Sequence, residues 1–291
     1  MGGSIMRYLE NAFRFTFKNF LLAIPLLISM AIPTLIISIG TAGFVAKLTQ
    51  KYMQMFQDAM KGEYTSFDIN FFDGMISMPM ILSVIVGSIL FLVLAIIVYP
   101  ATYGLINKKY ETGIATLNDF TQCMSKYIGR YVLYGLLYFA ISLGLSLVLC
   151  ILIVLASVVS VLVSNILGIL LMILLYLVFV VGIIAITTYM YLWFPAVCVE
   201  DSGIIDGLKN SFKTVKGSFW PILGITLLVS IGGGIAGSIL GIFPFIGTVI
   251  SSVTTTLAGF VLMVYYFEIY RAKTGRFSSP DNFQQINHHI Q

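Results

Sequence analysis

Long runs without a charged residue dominate the chain, and short polar segments separate them. These runs cover residues 19–46, 74–107, 131–199 and 217–267. A transmembrane helix needs about 20 apolar residues, and a charge at the bilayer centre costs at least about 2.5 kcal/mol. The third and fourth runs can each hold two spans, with turns near Ser164–Asn165 and in residues 241–247. The pattern therefore predicts an all-α integral membrane protein with six transmembrane helices.

Amphipathic segments lie beside the predicted spans. When residues 202–221 are taken as a helix, six apolar side chains fall within an arc of about 100°, and lysines border that arc. Asp201 or Ser202 is expected to cap this helix, and Pro221 suits the first turn of the next one. A basic amphipathic helix is typical of the membrane interface, whereas its apolar flanks argue against a soluble protein. The arc contains Ile204, Ile205, Leu208, Phe212, Val215 and Phe219, and the lysines are Lys209, Lys213 and Lys216.

The composition supports the membrane class. The 291 residues are 59% hydrophobic and only 10% charged, with a mean hydropathy of +0.99, whereas soluble domains carry about 25% charged residues. Cys123, Cys150 and Cys198 are too widely spaced for a disulfide framework. We predict a single membrane domain, residues 1–291, that ends in a polar cytoplasmic tail, residues 276–291.

The basic residues are divided unequally between the two sides of the predicted membrane. Six spans place both termini on one side, which receives 13 of the 16 Lys and Arg residues. The other side receives Lys47, Lys51 and Lys61. Because cytoplasmic loops are enriched in Lys and Arg, both termini are expected in the cytoplasm. Topology thereby accounts for the net charge of +4, and no nucleic-acid partner is expected.

The chain also repeats itself weakly. Leu9–Arg14, Phe120–Ser125 and Leu208–Lys213 are similar, and each precedes two predicted spans. Two closing spans end alike, at Tyr99–Ala101 and Phe194–Ala196. We interpret these likenesses as three parallel repeats, each an amphipathic helix followed by two spans. Alternatively, juxtamembrane helices resemble one another because they meet the same physical environment. The proposed repeats cover residues 4–113, 116–201 and 202–275.

A glycine-rich stretch superficially matches a nucleotide-binding motif. Gly232–Gly237 fits G-x-G-x-x-G, but it lies inside a predicted span and lacks the strand–turn–helix context that a dinucleotide site needs. Gly233, Gly237 and Gly241 are spaced four apart. We therefore interpret them as a face for close packing of helices.

Candidate catalytic side chains are scarce. The only histidines, His288 and His289, lie in the polar tail. Glu268 and Arg271 are expected to pair across one helical turn at the cytoplasmic boundary. The sequence therefore predicts no catalytic residue, no metal site, no cofactor and no enzyme activity.

The sizeable outer segment, residues 47–80, is rich in methionine and contains the aromatic run Phe67–Asp73. Methionine-rich surfaces adapt to varied partners, so this segment is a candidate contact for a membrane-protein partner. We favour the other interpretation, a short helix that rests on the outer leaflet.

One stretch resembles a known family. Trp193–Asp201, followed by Gly207–Lys213 and Val215–Trp220, is similar to the membrane domain found ahead of some bacterial glycerophosphodiester phosphodiesterases, and to related stand-alone six-span proteins of bacteria and archaea. The specific likeness covers about thirty residues, and the phosphodiesterase domain itself has no counterpart in this chain. The resemblance implies a bacterial or archaeal cytoplasmic membrane and a link to lipid metabolism, and it supplies no catalytic residues.

The sequence thus favours a non-enzymatic protein that binds or translocates a lipid or amphiphile. Its expected partners are membrane lipids, with anionic headgroups on the cytoplasmic side. The alternative is a scaffold or accessory subunit of another membrane complex. The residues expected to contact anionic lipid are Lys209, Lys213, Lys216, Arg14 and Lys18.

Overall fold

The computed structural model describes residues 2–61, 74–243 and 246–276, and its regular secondary structure there is helical. The helices are α1 (Gly2–Lys18), α2 (Ile24–Met60), α3 (Met78–Thr112), α4 (Phe120–Leu162), α5 (Asn165–Met190), α6 (Trp193–Glu200), α7 (Ile204–Lys216), α8 (Phe219–Leu240) and α9 (Gly247–Lys273).

The six predicted spans are confirmed as helices of sufficient length and apolar character. They lie in Phe20–Met60, Met78–Thr112, Leu117–Leu162, Asn165–Glu200, Phe219–Leu240 and Gly247–Lys273. The chain turns between Leu162 and Asn165 and between Leu240 and Gly247, as the sequence predicts. The protein is therefore a multi-pass, all-helical membrane protein over the part of the chain that the structure describes.

Several helices are longer than the charge-free runs. Helix α2 continues through Lys47 and Lys51 to Met60, so this part of the outer segment extends a span and does not form a separate short helix. The aromatic run Phe67–Asp73 lies outside the described residues, as does the tail after Arg276.

The proposed second repeat also differs from the expectation. Phe120–Ser125 forms the beginning of α4, which continues unbroken to Leu162, so no separate amphipathic helix precedes this span. Pro100 lies inside α3, whereas Pro195 lies in the first turn of α6, where a missing N–H costs nothing.

The helices contribute to two compact units. Unit 1 comprises residues 1–22, 99–227 and 261–291, and unit 2 comprises residues 23–98 and 228–260.

Unit 1 is built around the short helix α6. Every residue from Trp193 to Val199 is buried, and the Trp193 indole donates a 2.7 Å hydrogen bond to the carbonyl of Ile204. Around it pack aromatic rings at centroid distances of 4.8–5.3 Å, and edge-to-face contacts recur among them, an arrangement that adds specific attraction to area burial. These rings are Tyr103, Tyr131, Tyr134, Trp193 and Phe194.

Unit 2 relies on small and hydroxyl-bearing residues at its helix contacts. Thr34 of α2 hydrogen-bonds Ser252 of α9 at 3.1 Å. A Cβ added at Gly40 of α2 would lie 2.2 Å from the Ser83 Cβ of α3. Lipid tails are as apolar as leucine, so helices in membranes associate by close approach and interhelical hydrogen bonds.

The Gly40 contact predicts a local sensitivity to added volume. Gly40→Ala should lower the thermal unfolding temperature in detergent by several degrees, because overpacking costs about 1–3 kcal/mol. Gly43→Ala is the matched control on the same helix, since a Cβ there meets nothing within 4 Å. Equal unfolding temperatures for the two variants would contradict the close packing of α2 on α3.

Candidate functional site

Helix α7 is attached to unit 1 through a face that combines two small residues, Gly207 and Ser211, with the apolar Ile204 and Val215. A Cβ at Gly207 would lie 2.3 Å from Cγ2 of Val197, so α6 and α7 are in close contact. The Ser211 hydroxyl donates a 2.6 Å hydrogen bond to the carbonyl of Tyr189. The buried face of α7 consists of Ile204, Gly207, Ser211 and Val215.

This attachment leaves Ile205 largely exposed and Phe212 partly exposed, with one face of the Phe212 ring stacked on Tyr189 at a centroid distance of 4.9 Å. Ile205 is 61% exposed and Phe212 is 41% exposed, although both belong to the apolar arc that the sequence predicts. At 100° per residue, Ile205, Lys209, Phe212 and Lys216 fall within about 60° of one another. The exposed face of α7 is therefore both apolar and basic.

The lysines predicted to contact lipid lie on or beside this face. Lys209, Lys213 and Lys216 are all exposed. Only Lys209 has an acidic neighbour among the described ion pairs: its Nζ lies 3.5 Å from Asp206 Oδ1. The three ammonium groups are thus accessible to an anion.

The predicted cap of α7 is wrong. The N-cap residue is Gly203 and makes no side-chain cap. Asp201 instead ends α6 in a left-handed conformation, with φ of 50°, and its carboxylate lies against Arg130 at 2.5 Å and Lys126 at 3.6 Å. Two cations on α4 therefore both bind Oδ1 of Asp201, and this carboxylate does not cap α7.

Helix α1 shows the same division of its surface. Leu9, Ala12 and Thr16 are buried, while Phe13 and Phe17 are 38% and 72% exposed. Arg14 pairs with Glu10 at 3.0 Å, and Lys18 is exposed. The structure therefore places Arg14 and Lys18 on a helix that also exposes large apolar side chains.

A buried carboxylate holds α1 against α3 and α9. Glu268 of α9 is 6% exposed. The phenol of Tyr110 on α3 donates a 2.8 Å hydrogen bond to its Oε1, and the side chain of Asn11 on α1 also hydrogen-bonds this carboxylate. Uncharged donors thereby satisfy a group that would be costly to bury alone.

A second carboxylate makes the same set of contacts with α7. The phenol of Tyr270 donates to Oε1 of Glu200, and the amide of Asn210 donates to Oε2. Asn210 and Asn11 occupy equivalent places in the repeated segments. Each amphipathic helix is thus fastened to unit 1 by one asparagine, one glutamate and one tyrosine.

The expected pair between Glu268 and Arg271 is wrong, because both residues have other partners. Arg271 is 4% exposed; its Nη2 donates to Asn107 Oδ1 at 2.7 Å and lies 3.5 Å from Glu111 Oε1. Asn107 in turn donates to the carbonyl of Cys198 at 3.1 Å. The buried guanidinium therefore joins α9 to α3 and, through Asn107, to α6.

The hydrogen bonds of Glu268, Glu200 and Arg271 described above form what we call the polar network of unit 1. Sequence reasoning missed this network. Periodicity identifies residues at the ends of spans, but it does not show which of them face each other across α1, α3, α6, α7 and α9. One signal was available: Asn, Tyr and Glu cluster where α3, α6 and α9 end.

Two adjoining grooves lie between α4 and α5. One has a volume of about 280 Å³, and its lining includes Tyr138, Ser142 and Thr187. The other, of about 330 Å³, has an almost wholly apolar lining that includes Met172 and Tyr176. Leu149 lines both grooves, so together they follow α4 over several turns.

The predicted glycine face lies in unit 2. A Cβ at Gly233 would lie 2.5 Å from the Ala258 Cβ, and one at Gly237 would lie 3.0 Å from the Ser251 Oγ. Gly241 approaches Ser251 less closely, at 3.4 Å. These glycines therefore face α9 of the same chain.

The polar network predicts that the two tyrosine hydroxyls contribute to stability. Tyr110→Phe and Tyr270→Phe should each destabilise the protein by about 1.5–3 kcal/mol, because each removes one hydrogen bond to a carboxylate while keeping the ring. Unfolding in detergent, followed by intrinsic fluorescence, measures the loss. Tyr176→Phe, at a 57% exposed position, is the control, and equal stability of all three variants would contradict the network.

The ion pairs of Asp201 predict a specific acid sensitivity. The hydrogen bond from Arg130, with the nearby charge of Lys126, lowers the pKa of Asp201 below its usual 3.8. Its contribution to stability is therefore complete above the unfolded pKa and is lost as the pH falls through the lower folded value. The wild type should lose thermal stability between about pH 5 and pH 2, and the Asp201→Asn variant should lose less over the same range. An unchanged difference between variant and wild type across this range would contradict the assignment.

Comparisons with known proteins give one match. A family model described as Domain of unknown function (DUF7847) matches residues 40–273. Neither the curated proteins nor the solved structures include a match. These findings do not tie the chain to the membrane domain associated with glycerophosphodiester phosphodiesterases. Because the matched region covers most of the 291 residues and includes helices α3 to α9, the chain belongs to the DUF7847 family.

Proposed function

We propose that this protein binds or translocates a lipid or amphiphile and is not an enzyme. The observation that carries the proposal is the exposed face of α7, where Ile205 and Phe212 lie beside Lys209 and Lys216. Exposed apolar patches rimmed by polar groups mark interaction sites. An apolar face with adjacent cations matches the acyl boundary and the anionic headgroups of a bilayer surface.

The way in which α7 is attached supports this role. Gly207, Ser211 and Asn210 fasten the helix to unit 1 together with the buried Ile204 and Val215, and Ile205, which is 61% exposed, is not needed for packing within the chain. Each Lys near an anionic surface contributes about 1 kcal/mol of attraction. A fixed helix of this kind can present several cations to one headgroup without a large loss of side-chain and backbone freedom.

The grooves between α4 and α5 suit the apolar part of the ligand. Ser142 and Thr187 donate to carbonyls of their own helices, at 2.9 and 2.8 Å, so their hydroxyls are satisfied when an acyl chain covers them. The second, apolar groove shares Leu149 with the first and extends the surface available to an acyl chain along α4.

Location and orientation form part of the proposal. The excess of Lys and Arg on the side of both termini favours cytoplasmic termini. The sequence resemblance to a membrane domain of bacteria and archaea favours their cytoplasmic membrane and a connection with lipid metabolism. We propose that the protein is not an enzyme for two reasons. Its only histidines are at positions 288 and 289, and Glu200 and Glu268 are engaged in hydrogen bonds between helices.

We further propose that the chain contains a threefold internal repeat. The equivalent positions Ala12, Cys123 and Ser211 are buried, and so are Thr16, Tyr127 and Val215 four residues later. The shared asparagine–glutamate–tyrosine contacts of α1 and α7 also support the repeat. A common membrane environment explains why these segments expose similar apolar stripes. It does not explain why their equivalent positions are buried, or why α1 and α7 make the same hydrogen bonds.

A scaffold or accessory subunit is the second candidate function. The hairpin of α4 and α5 supports it, because the most apolar windows of these two spans are only 6% and 0% buried. Such a hairpin can pack against a span of another membrane protein. The glycines of α8 are weaker support, since they already face α9.

The proposed lipid contact predicts a loss of selective lipid retention. Lys209→Gln, Lys213→Gln and Lys216→Gln, combined, should lower the ratio of phosphatidylglycerol to phosphatidylcholine that copurifies from an equal mixture, because about 3 kcal/mol of attraction is removed. Native mass spectrometry of the full chain in nanodiscs measures this ratio.

The matched control replaces Lys47, Lys51 and Lys61 with Gln, which removes the same charge from the predicted outer side. Equal ratios for the wild type and the α7 variant would refute the lipid contact. A retained protein subunit, with lipid only at its bulk ratio, would favour the scaffold function.

A further inference from the structure

The two adjoining grooves between α4 and α5, which together we call the hairpin groove, change in chemistry along their length. The first, of about 280 Å³, is lined by Tyr138, Ser142 and Ser146, which are four residues apart and therefore lie in one row on α4. The second, of about 330 Å³, continues beyond Leu149 and has an apolar lining apart from Tyr176. The hairpin groove therefore has a polar end and an apolar end.

The polar end lies near the boundary of the hydrocarbon layer. A span counted from Asn165, where α5 begins, crosses the hydrocarbon within about 20 residues and reaches the boundary near Ile184. Thr187 and Met190, which line the first groove from the side of α5, lie just beyond this point. The apolar end lies deeper in the bilayer. An amphiphile in a bilayer has the same order, with its polar group at the boundary and its chain inside.

The two serine hydroxyls of the row are placed to accept hydrogen bonds from a ligand. Ser142 donates a 2.9 Å hydrogen bond to the carbonyl of Tyr138, and Ser146 donates one of 2.9 Å to the carbonyl of Ser142. A hydroxyl has one proton and two acceptor lone pairs, so each serine oxygen is left as an acceptor. An ester or ether group brings only acceptors and matches neither oxygen, whereas a hydroxyl or an amide N–H matches both.

The hairpin groove is longer than one leaflet is thick. Helix α4 rises about 22 Å from Tyr138 to Ile153, at 1.5 Å per residue. A tilt of about 40°, at the upper end of the range for transmembrane helices, still leaves about 17 Å along the membrane normal. Half of the hydrocarbon core is about 15 Å. An occupant that fills the groove therefore needs a chain that passes the middle of the bilayer.

We propose that the hairpin groove binds an amphiphile with one long chain and an uncharged polar end that donates hydrogen bonds, such as a long-chain alcohol. The acceptors Ser142 and Ser146 select the donor, and the length of the groove selects the chain. The described residues that line the groove include no charged side chain, so a charged end would be costly there. This inference rests on the proposed binding of an amphiphile and specifies the chemistry of the part that enters the groove.

Photolabelling of the full chain in phosphatidylcholine nanodiscs tests the proposal. The probe is octadecanol that carries a diazirine in its chain, and the matched probe is the methyl ether of the same molecule. The ether keeps the chain and the oxygen acceptor but has no donor. Peptide mapping after irradiation measures how much of each probe is attached to α4 and α5, at equal mole fractions in the bilayer.

The alcohol should label α4 and α5 severalfold more than the ether does. Ser142→Ala combined with Ser146→Ala should lower labelling by the alcohol to the level of the ether. Ser157→Ala is the matched control and should leave labelling unchanged, because Ser157 also donates to a carbonyl of α4, at 2.8 Å, but does not line either groove. Equal labelling of the wild type by the two probes, or labelling mainly outside α4 and α5, would overturn the proposal.

The chain length is tested by competition. Unlabelled octadecanol should displace the probe at a severalfold lower mole fraction than decanol, and Met172→Trp, which narrows the second groove, should remove this difference. Equal competition by the two alcohols in the wild type would overturn the chain-length part of the proposal.

The lysine variant of α7 separates this inference from the proposed lipid contact. If that variant keeps the wild-type ratio of phosphatidylglycerol to phosphatidylcholine while the two probes still differ, the lipid contact at α7 fails and the groove assignment stands. A changed ratio with equal labelling by the two probes overturns the groove assignment alone.

Discussion

The need to satisfy polar groups away from water shapes unit 1. Glu268 and Arg271 are almost fully buried, so each requires partners that water would otherwise provide. The two side chains do not hydrogen-bond to each other. The carboxylate accepts from Tyr110 and Asn11, and the guanidinium donates to Asn107. These bonds cross α1, α3 and α9, so the position of each helix depends on the others.

The same constraint explains how two amphipathic helices keep their apolar faces available. A helix held only by its large apolar residues would bury them. Here small or hydroxyl-bearing residues share the contact with a few large apolar ones, and an asparagine–glutamate hydrogen bond fixes each helix. The contact residues are Leu9, Ala12 and Thr16 of α1, and Ile204, Gly207, Ser211 and Val215 of α7. The aromatic and basic residues then remain on the outside, which is the property that the proposed lipid contact needs.

Much of the architecture was predictable because a bilayer imposes a simple rule. Charge-free runs of sufficient length must be helices, since their backbone groups find no other partners in lipid. The spans and the turns near Asn165 and Gly247 follow from that rule. The end of α2 and the beginning of α4 did not, because a helix can continue past the hydrocarbon boundary into water, where charged residues such as Lys47 and Lys126 are tolerated.

The sequence by itself determined that this is a helical, multi-pass membrane protein and that α7 is basic and amphipathic. Only the tertiary structure decided which face of α7 is buried, that Asp201 binds Arg130 and Lys126 rather than capping a helix, and that Glu268 and Arg271 have separate partners. The physical reason is that hydropathy and helical period describe one helix in its solvent. The choice among nearby hydrogen-bond partners depends on distances between helices that are far apart in the chain.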